Sequence, residues 1–127
     1  MKTFDVLQAG SLLGEHRFVF DEAALGEWTT LFPEDAGCPV MPPAMLAMVV
    51  MRAFISIMRD RPPGNVHAGQ QFELLRLPVL NERLVTRLRC QSKDLRNGRR
   101  WVTFNSETSD DGGELRFSGV MTTLWAA

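Results

Sequence analysis

The spacing of apolar residues along this chain changes twice, and the changes divide it into elements. After a lead-in over residues 1–14, punctuated by Gly10 and Gly14, His16 to Phe20 (HRFVF) has strand composition. Asp21 is placed to cap a helix carrying Ala24, Leu25, Trp28 and Leu31 on one face, and Pro33 ends it. Residues 33–43 (PEDAGCPVMPP) hold four of the seven prolines and read as a loop of defined path. Pro42 and Pro43 suit a helix opening, so a helix is expected over about 42–59. Leu46, Val49, Val50, Ala53, Phe54 and Ile57, with Met45, Met48 and Met51, surround its axis. A helix apolar on every side must be covered on every side, and a curved sheet is the expected cover.

From residue 66 the period becomes that of strands. Val66–Leu75, Arg83–Leu95, Arg99–Thr108 and Glu114–Trp125 are four long strand segments, expected to form an antiparallel meander over about 66–125. Asn97-Gly98 is the strongest two-residue hairpin signal available, and Asp111-Gly112-Gly113 closes a second hairpin. Leu84, Thr86, Leu88 and Cys90 alternate with Arg83, Val85, Arg87 and Arg89. Strand, short helix, buried helix and four strands make an α+β order resembling the hot-dog fold, a long central apolar helix wrapped by a curved antiparallel sheet. The 127 residues fit one such domain.

Charge narrows the partners. Fourteen Lys and Arg against 15 Asp and Glu give a net charge of −1, which supplies no field for nucleic acid or anionic lipid. The arginine runs Arg83/Arg87/Arg89 and Arg96/Arg99/Arg100 read as the solvated face of a hairpin. The apolar run Ala44 to Met58 is interrupted by Arg52 and is too short for a bilayer span. Cys38 and Cys90 stand far apart, with His16 and His67 at no metal-ligand interval from them, so neither a zinc site nor any other cofactor is expected. Reduced thiols and no secretion signal point to the cytoplasm.

Three short motifs resemble the MaoC-like dehydratases. Val66-His67-Ala68-Gly69-Gln70-Gln71-Phe72, followed by Arg76-Leu77-Pro78-Val79, is similar to that family's His-Gly-x-Gln-x-Phe strand and its Arg-Pro-Leu/Val continuation. Ala68 replaces the first glycine, and Leu77 is inserted before the proline. Pro39-Val40-Met41-Pro42-Pro43 resembles the family's Ala-Pro-Pro turn, and Gly98-Arg99-Arg100-Trp101-Val102 with Asp111-Gly112-Gly113-Glu114 resembles its closing hairpins. The likeness spans about residues 15–125 and is greatest to the N-terminal hot-dog halves of fatty-acid-type dehydratases. Catalytic members carry an Asp, four residues and a His before the central helix; this loop has Glu34 and Asp35 but no histidine.

The resemblance implies hydration or dehydration of an acyl thioester, which needs a base and a donor for the enolate-like oxygen. Backbone N–H groups at the helix start, near Met41 and at Met45 or Leu46, are candidate donors. For the base, His67 is the candidate, and a perturbed Glu34 or Asp35 the alternative; His67 equally suits a structural tie in a dimer, and the two carboxylates a solvated loop. His16 is expected to be exposed. By strand alternation Gln71 shares the face of His67 and is a candidate substrate contact. The methionines fit either a pliable acyl channel or plain core.

The preferred reading is a hydratase or dehydratase acting across the α,β bond of an enoyl or 3-hydroxyacyl thioester of coenzyme A or acyl carrier protein. The alternative is a silent acyl-binding subunit beside an active hot-dog partner. A thioesterase ranks third, because the helix has no carboxylate before Asp60. A homodimer with a sheet continuous across two subunits is expected, and a heterodimer is the alternative.

Overall fold

The computed structural model describes residues 1–126. Strand β1 (Leu12–Phe20) begins inside the expected lead-in, and α1 (Glu22–Leu31) follows, its first turn closed by Asp21 Oδ1 accepting from Ala24 N at 2.9 Å. A 3₁₀ turn (Pro33–Asp35) leads through the proline loop to α2 (Met45–Ile57). Four strands come next: β2 (Val66–Leu74), β3 (Glu82–Arg96), β4 (Arg99–Asp110) and β5 (Leu115–Leu124). Asn97 and Gly98 turn β3 into β4 with φ of 51° and 76°, a left-handed pair that the right-handed strand twist favours.

All five strands form one antiparallel sheet in the order β1-β3-β4-β5-β2. Only β3, β4 and β5 form the expected meander. β2 pairs with β5 at the far edge, and residues 75–81 cross back to β3 beside the proline loop. Met41 N donates to Pro78 O at 2.8 Å and Leu80 N to Pro39 O at 3.1 Å, so the crossing and the loop brace each other.

The central helix differs from expectation in two respects. It begins at Met45, not Pro42, because each residue before a proline is pushed out of the helical region and Pro42 precedes Pro43. It is also not covered on every side. Met45, Leu46, Val49, Val50, Ala53 and Phe54 are buried, whereas Ala47 and Ile55 are exposed and Met48 and Met51 half-buried. The sheet curves round one side of α2 only, nearest β1, where a Cβ on Gly14 would lie 3.0 Å from Ile57 Cγ2. An apolar stripe of the helix is left uncovered within one chain.

Between α2 and the sheet lies the core, with Phe20, Phe104, Phe117, Met41, Met45 and Met58 fully enclosed. Phe54, Phe104 and Trp125 pack edge-on or tilted, with centroids 5.3 to 6.4 Å apart, and Trp125 Nε1 donates to Lys2 O at 2.9 Å, tying the lead-in down. Leu84, Thr86, Leu88 and Cys90 face the core as the alternation requires, while Arg83 and Arg87 stand in solvent, Arg87 3.2 Å from Glu15. His16, expected on the surface, is half-buried, because its register with Thr86 puts it on the inner face.

Both cysteines are free. Burial raises the Cys90 thiol above its ordinary value of 9.0, with Lys93 pulling weakly the other way. Because the folded value lies above the unfolded one, stability is fully present below the ordinary thiol value and falls as pH rises through the folded one. Cys38, half-buried in its loop, should therefore react with iodoacetamide in the native protein while Cys90 does so only after unfolding. Mass spectrometry of the alkylated sites checks this; equal labelling of both would contradict the burial of Cys90.

Candidate active site at the open end of the sheet

β2 is an edge strand, and its inner face is only partly covered. A bulge at Ala68 governs which side chains lie on that face. Register pairs His67 with Thr123, then Gly69 with Thr122, Gln70 with Met121, Gln71 with Val120 and Phe72 with Gly119. Thr123, Met121 and Gly119 are the buried, inward residues of β5. Directly opposed residues share a face, so His67, Gln70 and Phe72 point inward, and Gln71 points outward. The expected pairing of Gln71 with His67 is thus overturned: the extra residue shifts the alternation by one, and Gln70 takes the place. The strand glycine Gly69 was the sequence signal for that bulge.

His67 is exposed and borders a groove of about 180 Å³. One wall is the C-terminal half of α2, with Met51, Phe54 and Ile55; the other is β5, with Met121, Thr123 and Trp125. Arg61 and Asn65, from the break after the helix, close its end. Arg61 lies 5.8 Å over the Phe54 ring and donates to Met58 O at 3.0 Å, while Asn65 holds the Ala126 N–H through Oδ1 at 2.7 Å. The groove is therefore an apolar slot with one imidazole, one guanidinium and one amide at its mouth. Arg61 carries no local signal in the sequence, where it is one of three charges in RDRPPGN (59–65).

The two loop carboxylates lie elsewhere. Glu34 is exposed, and Asp35 Oδ2 accepts the Trp28 indole N–H at 2.8 Å, in a turn where Trp28 stacks on Phe32 at 4.5 Å between centroids. Neither borders the His67 groove. The position five residues after Asp35, where the MaoC-like pattern carries histidine, is Val40, which bridges to Val79.

At the helix start, Met41 and Met45 are fully enclosed and Leu46 nearly so, so their side chains are core within one chain. Their N–H groups are engaged as well: Met45 N donates to Pro42 O at 2.9 Å, Leu46 N to Pro43 O at 3.2 Å and Met41 N to Pro78 O. Ala44, between the prolines and the helix, has the N–H nearest that end without such a bond among the described residues. Since 13 helical residues span about 20 Å, one chain holds its helix start and His67 at opposite ends of α2.

Among the described residues, no group of three or more His, Cys, Asp or Glu side chains is placed to hold a metal ion, and no helix is long and apolar enough to cross a membrane. No protein-family model matches the chain, and no curated protein matches it in sequence. Solved structures do resemble it. A MaoC-like dehydratase from Rhodospirillum rubrum superposes with a TM-score of 0.81 at 14% identity, over 100% of this chain and 99% of that one. The (R)-hydratase of A. caviae involved in PHA biosynthesis gives 0.70 at 16%, over 94% and 98%. A chain of the (3R)-hydroxyacyl-ACP dehydratase complex HadBC from Mycobacterium tuberculosis gives 0.69 at 19%, over 86% and 90%. The chain has the α+β hot-dog fold, and the solved structures that it resembles include MaoC-like and (R)-specific hydratases and dehydratases.

Proposed function

We propose that this protein is a one-domain, cytoplasmic hot-dog enzyme that adds water across, or removes it from, the α,β bond of an acyl thioester carried by coenzyme A or acyl carrier protein. The observation that carries this reading is the inward, solvent-reaching His67 over an apolar slot walled by α2 and β5. An imidazole is the side chain suited to move a proton near neutral pH, and the slot suits an acyl chain.

The site is best completed by a second copy. β2 leaves a free edge with Val66, Phe72 and Leu74 exposed, and the uncovered stripe of α2 lies on the same side. Joining two β2 edges about a twofold axis buries both and runs the two α2 helices antiparallel. The helix start of one protomer then approaches the His67 end of its partner. Proton transfer and oxyanion stabilisation, separated within one chain, come together across the dimer. Light scattering is expected to show a dimer at micromolar concentration; a monomer would remove the shared site.

Incubating the pure protein with crotonyl and longer enoyl thioesters, with mass spectrometry for the hydrated product, tests the reaction. A second reading, a silent acyl-binding subunit, is favoured by Val40 at the histidine position and by the commitment of Asp35 to Trp28. Thioester binding with no hydrated product, and recovery in a heterodimer, would establish it over the first.

A further inference from the structure

The His67 groove holds a cation with no counter-charge. Arg61 is half-buried at its end, and no acidic side chain borders the groove. Among the described residues no carboxylate lies within ion-pair reach of Arg61; Asp60, the acid next to it in sequence, pairs instead with the terminal ammonium of Met1 at 3.9 Å. The guanidinium is nevertheless held in place. It lies 5.8 Å over the Phe54 ring and gives a single N–H of its fork, from Nη1, to Met58 O at 3.0 Å. The break that carries it is braced by Asn65, whose Nδ2 donates to Pro62 O at 3.0 Å and whose Oδ1 accepts from Ala126 N at 2.7 Å.

The nearness of Arg61 to His67 restricts which anion it meets. Both side chains border the same space of about 180 Å³. A closed apolar cavity of about 150 Å³ holds a benzene ring, so this groove takes an acyl group of about six to eight non-hydrogen atoms. The phosphates of coenzyme A, or of the phosphopantetheine of a carrier protein, lie the whole length of the pantetheine arm from the thioester sulfur. With the reacting carbons beside His67, those phosphates fall outside a groove this small. The anion that Arg61 meets therefore belongs to the acyl group itself, and the apolar walls Met51, Phe54, Ile55 and Met121 face the carbons between its two ends.

We propose that Arg61 is a specificity residue of this groove, pairing with a second carboxylate at the far end of the acyl group, and that the substrates are monothioesters of short diacids of about four or five carbons. This rests on the acyl-thioester reading of the His67 groove. A guanidinium already laid against Phe54 loses little freedom on binding, and its remaining N–H groups match the two oxygens of a carboxylate. A methyl-ended chain of the same length would strip water from the cation and return nothing for it. Selection thus acts from both sides, favouring the charged end and disfavouring the uncharged one.

Three thioethers of coenzyme A test this, alike in chain length and ending in a carboxylate, a primary amide or a methyl group, each titrated calorimetrically into the intact protein. The phosphates of the carrier are common to all three, so their contribution cancels. The carboxylate ether is expected to bind about 10- to 100-fold more tightly than the amide ether, the range for a hydrogen bond to a charged group. Arg61→Met, which keeps an unbranched stem against Phe54, should bring the carboxylate ether down to the level of the amide, and Arg61→Lys should keep part of the preference. His67→Ala should keep all of it; a preference lost there and retained in Arg61→Met would put the anion on the imidazole and overturn the assignment. Equal binding of the three ethers overturns the diacid specificity and leaves the acyl-thioester reading standing; binding of none overturns both.

Discussion

Replacing His67 with alanine is expected to lower turnover of an enoyl thioester by about 10² to 10⁴, the range for losing a general acid or base. The imidazole lies on an edge strand, exposed, and contributes no buried packing, so the variant should keep its fold and its assembly. The loss should fall on kcat more than on KM, since the apolar walls proposed to take the acyl chain, Met51, Phe54, Ile55 and Met121, are untouched. Steady-state rates and light scattering on the same preparation check both parts. Unchanged turnover would take His67 out of the chemistry and leave Asp35 and Glu34 as the remaining candidates. A variant that fails to assemble would show His67 to be a structural tie.

The largest loss of stability is expected from Arg116→Met. Arg116, 6% exposed, places Nη2 2.7 Å from Glu82 Oε2 and 3.0 Å from Asp110 Oδ2, joining the start of β5 to the start of β3 and the end of β4. Each carboxylate is also anchored at its other oxygen, Glu82 by Val79 N at 2.7 Å and Asp110 by Glu114 N at 2.9 Å, so neither can swing away freely. Removing the guanidinium leaves two largely buried carboxylates facing each other without a cation. Breaking a buried pair from one side costs about 3 to 5 kcal/mol. Urea unfolding should show a lowered midpoint with little change in slope. Arg116→Lys should recover part of the loss, because the single nitrogen Nη2 meets both carboxylates and one ammonium can take its place, though on a shorter side chain. A midpoint near that of the parent would mean the cluster is solvated and its charges screened.

Much of this architecture was written locally. Asp21 before Ala24, Leu25 and Trp28 specifies a capped helix through one side-chain bond, and Asn97-Gly98 specifies a hairpin because few other pairs accept φ > 0 twice. The alternation of Leu84, Thr86, Leu88 and Cys90 named the buried face of β3 correctly, since its period holds without interruption until the bulge after Cys90. Each of these depends on residues near in sequence, and so does the α+β order that they build.

What the tertiary structure decided depends on residues far apart. The partner of β2 is β5 and not β3, a choice set by the path of residues 75–81 against the proline loop. One extra residue at Ala68 turns Gln71 outward and Gln70 inward; Gly69 marks a possible bulge, but pairing with β5 determines its phase. Apolarity on every side of α2 is legible from 44 to 58, yet the side that this sheet covers follows from its curvature around Gly14 and Ile57. The candidate site divides along the same line. His67 stood out as an ionisable residue within a motif, whereas Met121 and Thr123, more than 50 positions later, line its groove only because β5 pairs with β2. Local sequence determines which elements form and which of their faces are apolar; cross-strand register, a long-range property, determines which polar groups meet.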